Sequence, residues 1–508
     1  MNKNSFSINI IRTIIISIII VSAFALIASA VVSLNWRYYH DTPIMIYCAY
    51  LIDSGFIPYR DFFEMNMPGI YFINLLAAKI FGWSDLSFRI FDILYLCVLS
   101  LFTFFWLKPL GKLTAASGVL LFGLYYLNEN PYLILQREYI ALLPFAVMLW
   151  LIIPKSKLSE GRTLFLSGIL ISLSFLIKPQ FILLSLPAIG FFIYENRLKL
   201  SFLKQLKYLA TGLVIPVIVF LLYLIITGSL NSFFDIVYNY WYLYSDLNGD
   251  HRILEGYQKI TYDLKSLFSG LNSSLLPLAL MGILILSYEK PKNKYILLLF
   301  LQLIASAVYP VISGQYFDYH WIPFHYIALC TAANLVQLPA QKLNAEKFIL
   351  FIAAMLLFAP LLKSNLGFTF YYSKKKEKIE KERFLVADEI TEFLNNNLKA
   401  GDKVQPLDWS GGAIHAMLRA DAKIATRFIY DFQFYHHINS PYINRLKKEF
   451  MDELVKSKPE YIIQILENKP WPIGENTSRN FEELEDFINK NYYSAKEGPG
   501  FKIYKHYY

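Results

Sequence analysis

Long apolar runs alternate with short polar stretches along the chain up to residue 362. Each run is about 15 to 25 residues long, which is close to the length that an α-helix needs to cross a bilayer. The pattern therefore predicts a polytopic, mainly α-helical membrane protein with about eleven spans. We place the spans near residues 10–34, 88–107, 113–127, 139–153, 164–177, 180–194, 207–227, 273–288, 295–313, 321–337 and 347–362.

The charge of the connecting loops alternates in the same region. One set of loops is rich in Lys and Arg, and the other set is rich in Asp, Glu, Tyr and Trp. Because cytoplasmic loops carry an excess of Lys and Arg, the N-terminus is expected in the cytoplasm and, after eleven spans, the C-terminus outside. The basic loops contain Lys3, Arg12, Lys108, Lys112, Lys155, Lys157, Arg162, Arg197, Lys199, Lys204, Lys207, Lys290, Lys292, Lys294, Lys342 and Lys347.

The first apolar segment also has features of a secretory signal. It follows a short start with Lys3 and Arg12, and the small residues Ala28–Ala30 offer a candidate cleavage site. The segment runs for about 25 residues, which is longer than the core of an ordinary signal peptide. We therefore predict an uncleaved signal-anchor.

The first long outer loop, residues 35–87, contains two helical patterns. Apolar residues at helical spacing predict an amphipathic helix over 42–53, and a second helix is predicted over 67–81 with Gly82 at its end. We expect both helices to lie along the membrane surface. Long polar loops on a rigid scaffold often carry function, so this side of the membrane is the expected location of the chemistry.

The second long outer loop, residues 228–272, is unusually rich in aromatic residues. Aromatic rings can stack on the C–H faces of sugars, which favours a glycan-binding role. The same composition is typical of an interfacial helix with a belt of Tyr and Trp, and this alternative stays open.

The pattern changes after Lys363 to that of a small soluble domain. A charged helical stretch is followed by alternating strand-like and helical segments, which predict a sheet covered by helices. We therefore divide the chain into a transmembrane domain, 1–362, and an outer α/β domain, 363–508. The strand-like segments are 403–409, 423–429 and 461–466, and the helical ones are 411–418, 442–460 and 480–491.

Composition supports the membrane assignment and narrows the choice of partners. The 508 residues are 56% hydrophobic and only 17% charged, with a mean hydropathy of +0.38, which a soluble domain of this size could not bury. The net charge of +9 is explained by lysines that orient the spans, so we expect no nucleic acid partner. Cys48, Cys97 and Cys330 lack metal-ligand spacing and are predicted to be packing residues.

The first outer loop has an acidic residue after span one, Asp41, followed by "AYLIDSGFIPYRDFF", "NMPGIYF" and "KIFG". In these features it resembles the first loop of membrane glycosyltransferases with the GT-C fold, the protein O-mannosyltransferase and aminoarabinose transferase group. The order and spacing match over about 50 residues, and span two begins with "FRIFD", close to the pattern of the group. Elsewhere the resemblance is one of architecture only.

Two positions depart from the pattern of the group. Its members often carry a second acidic residue beside the first, whereas Thr42 follows Asp41 here. Their "KPP" run contributes a lysine to donor phosphate binding, and Asn66 occupies that position in this chain. The resemblance therefore implies either another phosphate ligand or a different donor.

The resemblance implies an inverting glycosyltransferase. Such an enzyme moves a sugar from a polyprenyl-phosphate donor to a hydroxyl of a glycan, lipid or protein acceptor, at the outer face of what we expect to be a bacterial plasma membrane. Asp41 would be the general base that takes the proton of the acceptor hydroxyl. From the residues alone, "DTP" equally suggests that Asp41 caps the following helix.

Further polar residues at the outer side are candidates for substrate binding. A leaving phosphate needs cations, and Arg137 and Lys178 lie at span entrances where interfacial snorkelling is the alternative role. The loop between spans nine and ten combines Asp318 and His320 with aromatic residues, so an aromatic belt is its alternative. The full set is Arg60, Asp61, Glu64, Asn66, Arg137, Glu138, Lys178, Asp318 and His320.

No cofactor is predicted. Asp318 and His320 are residue types that could ligate a divalent metal together with Asp41, but nothing in the local sequence demands one.

Two rival functions share the same substrate class. A transporter or flippase of lipid-linked glycans would place charges or broken helices within its spans, often in repeated halves. A polymerase or ligase of the O-antigen type would be expected to concentrate its chemistry in a late loop. The polar residues here crowd at one face and the first loop carries the strongest motif, which favours the glycosyltransferase.

Overall fold

A computed structural model of the chain describes residues 3–128, 130–154, 158–254, 256–289, 291, 293–313, 315–337, 344–467 and 469–507. Five of the lysines predicted to face the cytoplasm lie outside these ranges, namely Lys155, Lys157, Lys290, Lys292 and Lys342.

The described residues are mainly helical, with one small sheet. The helices are α1 (Lys3–Ser33), α2 (Thr42–Asp53), α3 (Gly69–Phe81), α4 (Asp85–Leu107), α5 (Lys112–Asn128), α6 (Arg137–Ile152), α7 (Glu160–Ile177), α8 (Phe181–Glu195), α9 (Phe202–Ile226), α10 (Leu230–Asn239), α11 (Trp241–Ser245), α12 (Tyr257–Leu267), α13 (Gly270–Glu289), α14 (Tyr295–Ser313), α15 (Ile322–Ala332), α16 (Asn344–Asn397), α17 (Ala413–Arg419), α18 (Pro441–Ser457) and α19 (Glu482–Asn491). The strands are β1 (Lys403–Leu407), β2 (Lys423–Ile424), β3 (Tyr461–Ile465), β4 (Tyr492–Gly498) and β5 (Phe501–His506). Four short 3₁₀ segments cover Asn130–Leu133, Asp318–Trp321, Ala333–Val336 and Phe432–Phe434.

Every predicted span coincides with a helix. Seven of the helices are long and apolar enough to cross a membrane, as judged by length and composition: α1, α4, α7, α9, α13, α14 and α16. The other four predicted spans fall on α5, α6, α8 and α15, which have 17, 16, 15 and 11 residues. The count of eleven membrane crossings therefore stays a prediction.

The chain folds into two compact units. Unit 1 contains residues 1–37, 89–219 and 256–374, and unit 2 contains residues 38–88, 220–255 and 375–508. The change from one to the other along α16 occurs at Lys375, whose backbone (φ −121°, ψ 17°) is not helical. The predicted boundary between residues 362 and 363 separates a transmembrane domain from an outer domain, and it stays a prediction.

Close backbone packing holds helices of unit 1 together. A Cβ atom on Gly212 of α9 would lie 2.0 Å from the carbonyl oxygen of Phe165 in α7, and one on Gly168 would lie 2.4 Å from the carbonyl oxygen of Leu209. The same arrangement recurs between α13 and α15, where Gly282 faces the carbonyl of Thr331. Small residues allow helix backbones to approach closely. Such packing matters in a membrane, because lipid tails are as apolar as buried side chains and apolar burial alone does not drive helices together.

A buried ion pair lies at the start of α4, in the "FRIFD" stretch. The Arg89 guanidinium contacts the Asp92 carboxylate, donates to Ser33 Oγ at 2.6 Å, and lies over the Trp36 ring. Tyr126 of α5 donates to the other oxygen of Asp92 at 2.6 Å. Pairing and hydrogen bonding of both charges offset the cost of burying them. Through these contacts the "FRIFD" stretch joins α1, α4 and α5.

Helices α2 and α3 of unit 2 match the two predicted helices of the first outer loop. Gly55 ends α2 in a Schellman arrangement, with its φ at +92°, and Gly82 ends α3 with φ at +96°. The expected amphipathic character of α2 is wrong, because the helix is buried on all sides from Thr42 to Leu51. Tyr47 and Tyr50 anchor it by donating hydrogen bonds to the segment after α17.

The sheet of unit 2 has the strand order β2-β1-β3-β5-β4. β1 pairs in parallel with both β2 and β3, whereas β5 is antiparallel to β3 and to β4. The alternation of strands and helices was predicted correctly as far as α19. The last hairpin, β4 and β5, was missed, because its alternating polar residues face solvent on one side.

The prediction of a strand over 423–429 is wrong beyond Ile424. The N–H of Ala425 still donates to the carbonyl of Val404 in β1, at 3.0 Å, and beyond it side-chain bonds replace the ladder. Thr426 donates to Gln405 Oε1 through both its backbone nitrogen, at 3.2 Å, and its hydroxyl, at 2.7 Å. A side chain that competes for backbone donors ends regular pairing.

The three cysteines form no disulfide. Cys48 and Cys330 are buried, as predicted for packing residues, but Cys97 of α4 is exposed, so that prediction is wrong for this residue.

Candidate functional site

Asp41 immediately precedes α2, and its side chain does not cap that helix. Its backbone is already helical (φ −81°, ψ −19°), and the carboxylate makes no capping hydrogen bond. Pro43 does occupy the first turn, so the helix start was predicted correctly while the capping role was not. The buried carboxylate is therefore directed to other partners.

Ser410 and His40 are two of those partners. Ser410 donates from Oγ to Asp41 Oδ1 at 2.8 Å, and His40 Nδ1 lies 3.2 Å from the same oxygen. Both residues have backbone angles in the left-handed region, with φ at +61° for His40 and +60° for Ser410. Non-glycine residues are rarely found there, and such strain is frequent at functional sites. We refer to Asp41, His40 and Ser410 as the Asp41 cluster.

His251 belongs to the surroundings of this cluster. Burial lowers the pKa of His251, and the negative charge of Asp41 opposes that shift. The imidazole therefore favours its neutral form beside an acidic group. A neutral imidazole does not compensate the negative charge of the Asp41 carboxylate, so the carboxylate can still accept a proton.

Arg60 and Asp61 form an exposed ion pair that closes a turn. Arg60 Nε lies 2.7 Å from Asp61 Oδ1, and Arg60 Nη1 donates to the carbonyl of Thr227 at 2.9 Å. Asp61 also accepts the backbone N–H of Ile57 at 2.8 Å. Hydrogen bonds from Ile57 and Arg60 lower the pKa of Asp61, although its partial burial acts in the opposite direction. These contacts hold the loop in shape, and a substrate role for the pair stays a prediction.

Glu64 and Asn66 are buried and bonded to each other. Glu64 Oε1 accepts the backbone N–H groups of Met65 and Asn66 at 2.8 and 3.1 Å and the Asn66 amide at 2.5 Å. The carbonyl of Asn66 accepts the hydroxyl of Tyr59 at 2.8 Å. The side chain that replaces the family lysine is thus engaged within the loop.

A second cluster, in unit 1, joins four predicted residues from three separate stretches of sequence. Lys178 Nζ lies 2.7 Å from Glu138 Oε1 and 3.2 Å from His320 Nε2, which is itself 3.4 Å from Glu138 Oε1. Arg137, next to Glu138, is also buried and acts electrostatically on His320. We refer to Arg137, Glu138, Lys178 and His320 as the Glu138 cluster.

The Glu138 cluster combines basic side chains with a carboxylate and an imidazole. Burial lowers the pKa of His320 well below its ordinary value, and the charges of Lys178 and Arg137 lower it further, so His320 is neutral. Lys178 and Arg137 are the basic members of the cluster. Basic side chains in a desolvated setting are groups that can bind an anionic ligand.

Polar atoms without protein partners adjoin this cluster. Among the described residues, the buried atoms Glu138 Oε2 and Tyr309 Oη have no hydrogen-bond partner. Tyr309 is within electrostatic range of both Glu138 and Arg137. Buried polar groups are rarely left unsatisfied, so these atoms point to a ligand or to bound water.

Asp318 was predicted together with His320 but is not brought into the cluster. It is exposed at the start of the 3₁₀ segment Asp318–Trp321, whereas His320 is fully buried. In the described part of the chain, no three His, Cys, Asp or Glu side chains are grouped as a metal site.

Two functional candidates were not predicted, Ser410 and His40. Ser410 lies in "WSGG", directly after β1, in a stretch whose glycines were assigned to the next helix. A glycine-rich turn at the carboxyl end of a parallel strand is a recognised position for binding residues and could have indicated it. His40 adjoins Asp41 in the sequence, but no sequence pattern indicates its left-handed backbone conformation.

The fold, with its apolar helices and small sheet domain, is similar to that of an ArnT structure, so the mainly α-helical, GT-C-like fold class predicted from the sequence is confirmed. The protein is an integral membrane protein. Two crystal structures of ArnT from Cupriavidus metallidurans are similar to it. The one bound to undecaprenyl phosphate has a TM-score of 0.59 and the apo form 0.58, each at 11% sequence identity and covering 96% of this chain and 97% of ArnT.

Sequence comparison gives a shorter match. Residues 66–225 match the family model of dolichyl-phosphate-mannose-protein mannosyltransferases. No curated protein sequence is significantly similar to this one. The matched region includes Arg137, Glu138 and Lys178 but not Asp41 or His320.

Proposed function

We propose that the protein is an inverting glycosyltransferase that moves a sugar from a polyprenyl-phosphate donor to an acceptor hydroxyl. The observation that carries this proposal is the agreement of the fold, over nearly the whole chain, with a transferase whose structure holds undecaprenyl phosphate. The matched family model, named for a lipid-phosphate sugar donor, supports the same donor class.

Asp41 is the proposed general base. Its carboxylate is buried, ionisable and held by Ser410 and His40 rather than used as a helix cap. As the acceptor hydroxyl attacks the anomeric carbon, Asp41 takes its proton, while the bond from that carbon to the donor phosphate breaks. Attack from the face opposite the leaving phosphate inverts the anomeric centre, by the same geometry as in inverting glycosidases.

The Glu138 cluster is the proposed site for the donor phosphate. In this proposal Lys178 and Arg137 stabilise the phosphate as it leaves, and the Tyr309 hydroxyl, which has no hydrogen-bond partner among the described residues, donates to a phosphate oxygen. Glu138 holds Lys178 in position, and neutral His320 accepts a hydrogen bond from Lys178 Nζ. The enzymes that the first loop resembles use a lysine to bind the donor phosphate, and Asn66 occupies that position in this chain. In this proposal the Glu138 cluster supplies the cations instead.

The proposal includes a location. Loop charges favour an N-terminus in the cytoplasm and a sheet domain outside, in what we infer to be a bacterial plasma membrane. The sugar would then be transferred at the outer face. The acceptor is a glycan, a lipid or a protein carrying a free hydroxyl.

The test measures sugar transfer in membranes that contain the full-length protein. The probes are radiolabelled mannose, glucose and 4-amino-4-deoxyarabinose, each supplied as its undecaprenyl-phosphate ester, and label is counted in lipid, polysaccharide and protein fractions. Asp41→Asn should abolish transfer. Asp53→Asn, the same exchange at the far end of α2 in an ion pair with Lys79, should leave transfer near the wild-type level.

Three outcomes would count against the proposal. Full transfer by Asp41→Asn would remove Asp41 as the base. Transport of a probe across proteoliposomes without transfer would favour a flippase. Joining of lipid-linked oligosaccharides, with none of the monosaccharide probes used, would favour a polymerase or ligase.

A further inference from the structure

Ser410 reaches Asp41 from a distant part of the sequence. The two residues are 369 positions apart, and both belong to unit 2. The 2.8 Å bond from Ser410 Oγ to Asp41 Oδ1 is partly buried, which shields it from competing water. A hydrogen bond to a charged acceptor is stronger than one between neutral groups.

The turn that carries Ser410 is fixed by Asp408. One carboxylate oxygen of Asp408 accepts the N–H of Gly411 at 2.7 Å, and the other accepts those of Ala413 and Ile414 at 2.9 and 3.3 Å. Burial raises the pKa of Asp408, and these backbone donors oppose that shift. Three backbone bonds from one side chain leave the turn little freedom.

The glycines of the turn are required by its shape. A Cβ on Gly411 would lie 2.6 Å from Ile465 Cγ2 and 2.7 Å from Asp408 Oδ1, and Gly412 has φ at +112°. Ser410 itself is held at φ +60°, a conformation that costs energy for a residue with a side chain. The sequence therefore retains a serine where glycine would fit the backbone better.

The turn also lies at a position in the sheet that commonly holds ligands. The chain leaves β1 toward β2 on one side and returns through α18 to β3 on the other side. In open parallel sheets, binding sites form beyond the carboxyl ends of the strands at such a reversal. The Ser410 turn directly follows the carboxyl end of β1.

We propose that Ser410 is a positioning residue for the general base, an inference that rests on the proposed function of Asp41. Its hydroxyl fixes the rotation of the Asp41 carboxylate and favours the ionised form, which is the form that accepts a proton. Ser410 gains and loses no proton in the reaction. The outer sheet domain thereby takes part in catalysis through one hydrogen bond.

The experiment compares two variants that remove the hydroxyl. Ser410→Ala removes it from a strained backbone, and Ser410→Gly removes it while relieving that strain. Transfer is measured in the membranes described above, with the undecaprenyl-phosphate sugar that the wild type uses. Ser494→Ala removes an exposed hydroxyl that also donates to a carboxylate, that of Glu497 at 3.0 Å, and serves as control.

Both Ser410 variants should lose about 10- to 100-fold in kcat, with little change in KM for the donor, because the lost bond is one to a charged group. The acidic limb of the kcat/KM profile should move to higher pH, since the ionised base has lost a donor. Ser494→Ala should show neither effect. The equal loss in Ser410→Gly separates this role from a purely structural one.

The outcomes distinguish this inference from the proposed function. If Asp41→Asn retains transfer, the base assignment fails and the role of Ser410 fails with it. If Asp41→Asn is inactive while both Ser410 variants keep the wild-type rate, only the positioning role is overturned. A loss of rate with an unmoved acidic limb overturns it as well, because a misfolded fraction lowers the rate at every pH equally.

Discussion

Lys178 Nζ lies 2.7 Å from Glu138 Oε1, and both side chains are buried. Lys178 follows the end of α7, whereas Glu138 lies in the first turn of α6. Their pairing means that each charge depends on the other for its stability in a desolvated setting. A single substitution in this pair would affect both folding and the proposed phosphate binding. Substituting both residues together allows the two effects to be separated.

Replacing both members of this pair should restore stability without restoring activity. Lys178→Gln and Glu138→Gln should each lower the free energy of unfolding by about 3 to 5 kcal/mol, because each leaves the other member of the pair buried without the ion-pair contact. The double variant should recover most of that loss but remain inactive, since the phosphate has lost one of its two proposed cations. Thermal unfolding in detergent micelles and sugar transfer would be measured in parallel.

An exposed pair provides the control for that experiment. Lys199 Nζ lies 2.7 Å from Glu160 Oε1, but both side chains are accessible to solvent. Lys199→Gln should change stability by no more than about 1 kcal/mol. Recovery of transfer in the Lys178→Gln, Glu138→Gln double variant would contradict the phosphate assignment.

The contact between α7 and α9 should not tolerate a methyl group. Gly212→Ala would place Cβ 2.0 Å from a backbone carbonyl, which cannot move aside as a side chain can. We expect a loss of about 1 to 3 kcal/mol, as for overpacking of a dense interior. Gly190→Ala in α8, where nothing lies within 4 Å of the new Cβ, should be neutral or stabilising. Yields of folded protein from size-exclusion chromatography would distinguish the two.

The stability of the region around α12 should decrease as the pH rises. Burial raises the pKa of Asp263 from its ordinary value of 3.8 to about 7. The folded state then binds a proton that the unfolded state has released, so the stabilisation is complete below pH 3.8 and is lost as the pH rises through about 7. Asp263→Asn should flatten the dependence of the melting temperature on pH over this window. An unchanged slope in the variant would refute the assignment.

A second carboxylate beside Glu64 should destabilise the first outer loop. Asn66→Asp would replace an amide donor, 2.5 Å from Glu64 Oε1, with a like charge in a buried setting. A loss of about 2 to 4 kcal/mol is expected at neutral pH, with partial recovery in acid, when one carboxylate is protonated. Asn239→Asp, the corresponding exchange beside the less buried Asp235, should cost less. Limited proteolysis of the loop would report both.

The sequence predicted the helices better than the contacts between them. Apolar runs and turn residues determine where helices begin and end, so α2 and α3 fall close to their predicted bounds. The burial of α2 on every side could not be predicted, because it depends on segments that are distant in the sequence. The missed hairpin likewise depends on distant pairing, because β5 pairs with β3 and β4 pairs with β5.

The candidate sites show the same division. Arg137, Glu138 and Lys178 were selected for their charge at span entrances and His320 for its polar and aromatic loop, and the fold brings the four together. Asp41 was selected by resemblance, but its partner Ser410 could not be, since nothing local to "WSGG" indicates a residue 369 positions away. Local chemistry thus indicates which residues are unusual, whereas topology determines which of them meet.

The assembly of unit 2 from three separate segments has a consequence for biosynthesis. Asp41 leaves the ribosome 369 residues before Ser410. At typical rates of synthesis this interval is roughly 20 to 70 seconds. With the predicted topology, the first outer loop is exported during that time without the sheet domain that completes its surroundings. If Asp41 and Ser410 act as proposed, the nascent chain is inactive until synthesis of the protein is nearly finished.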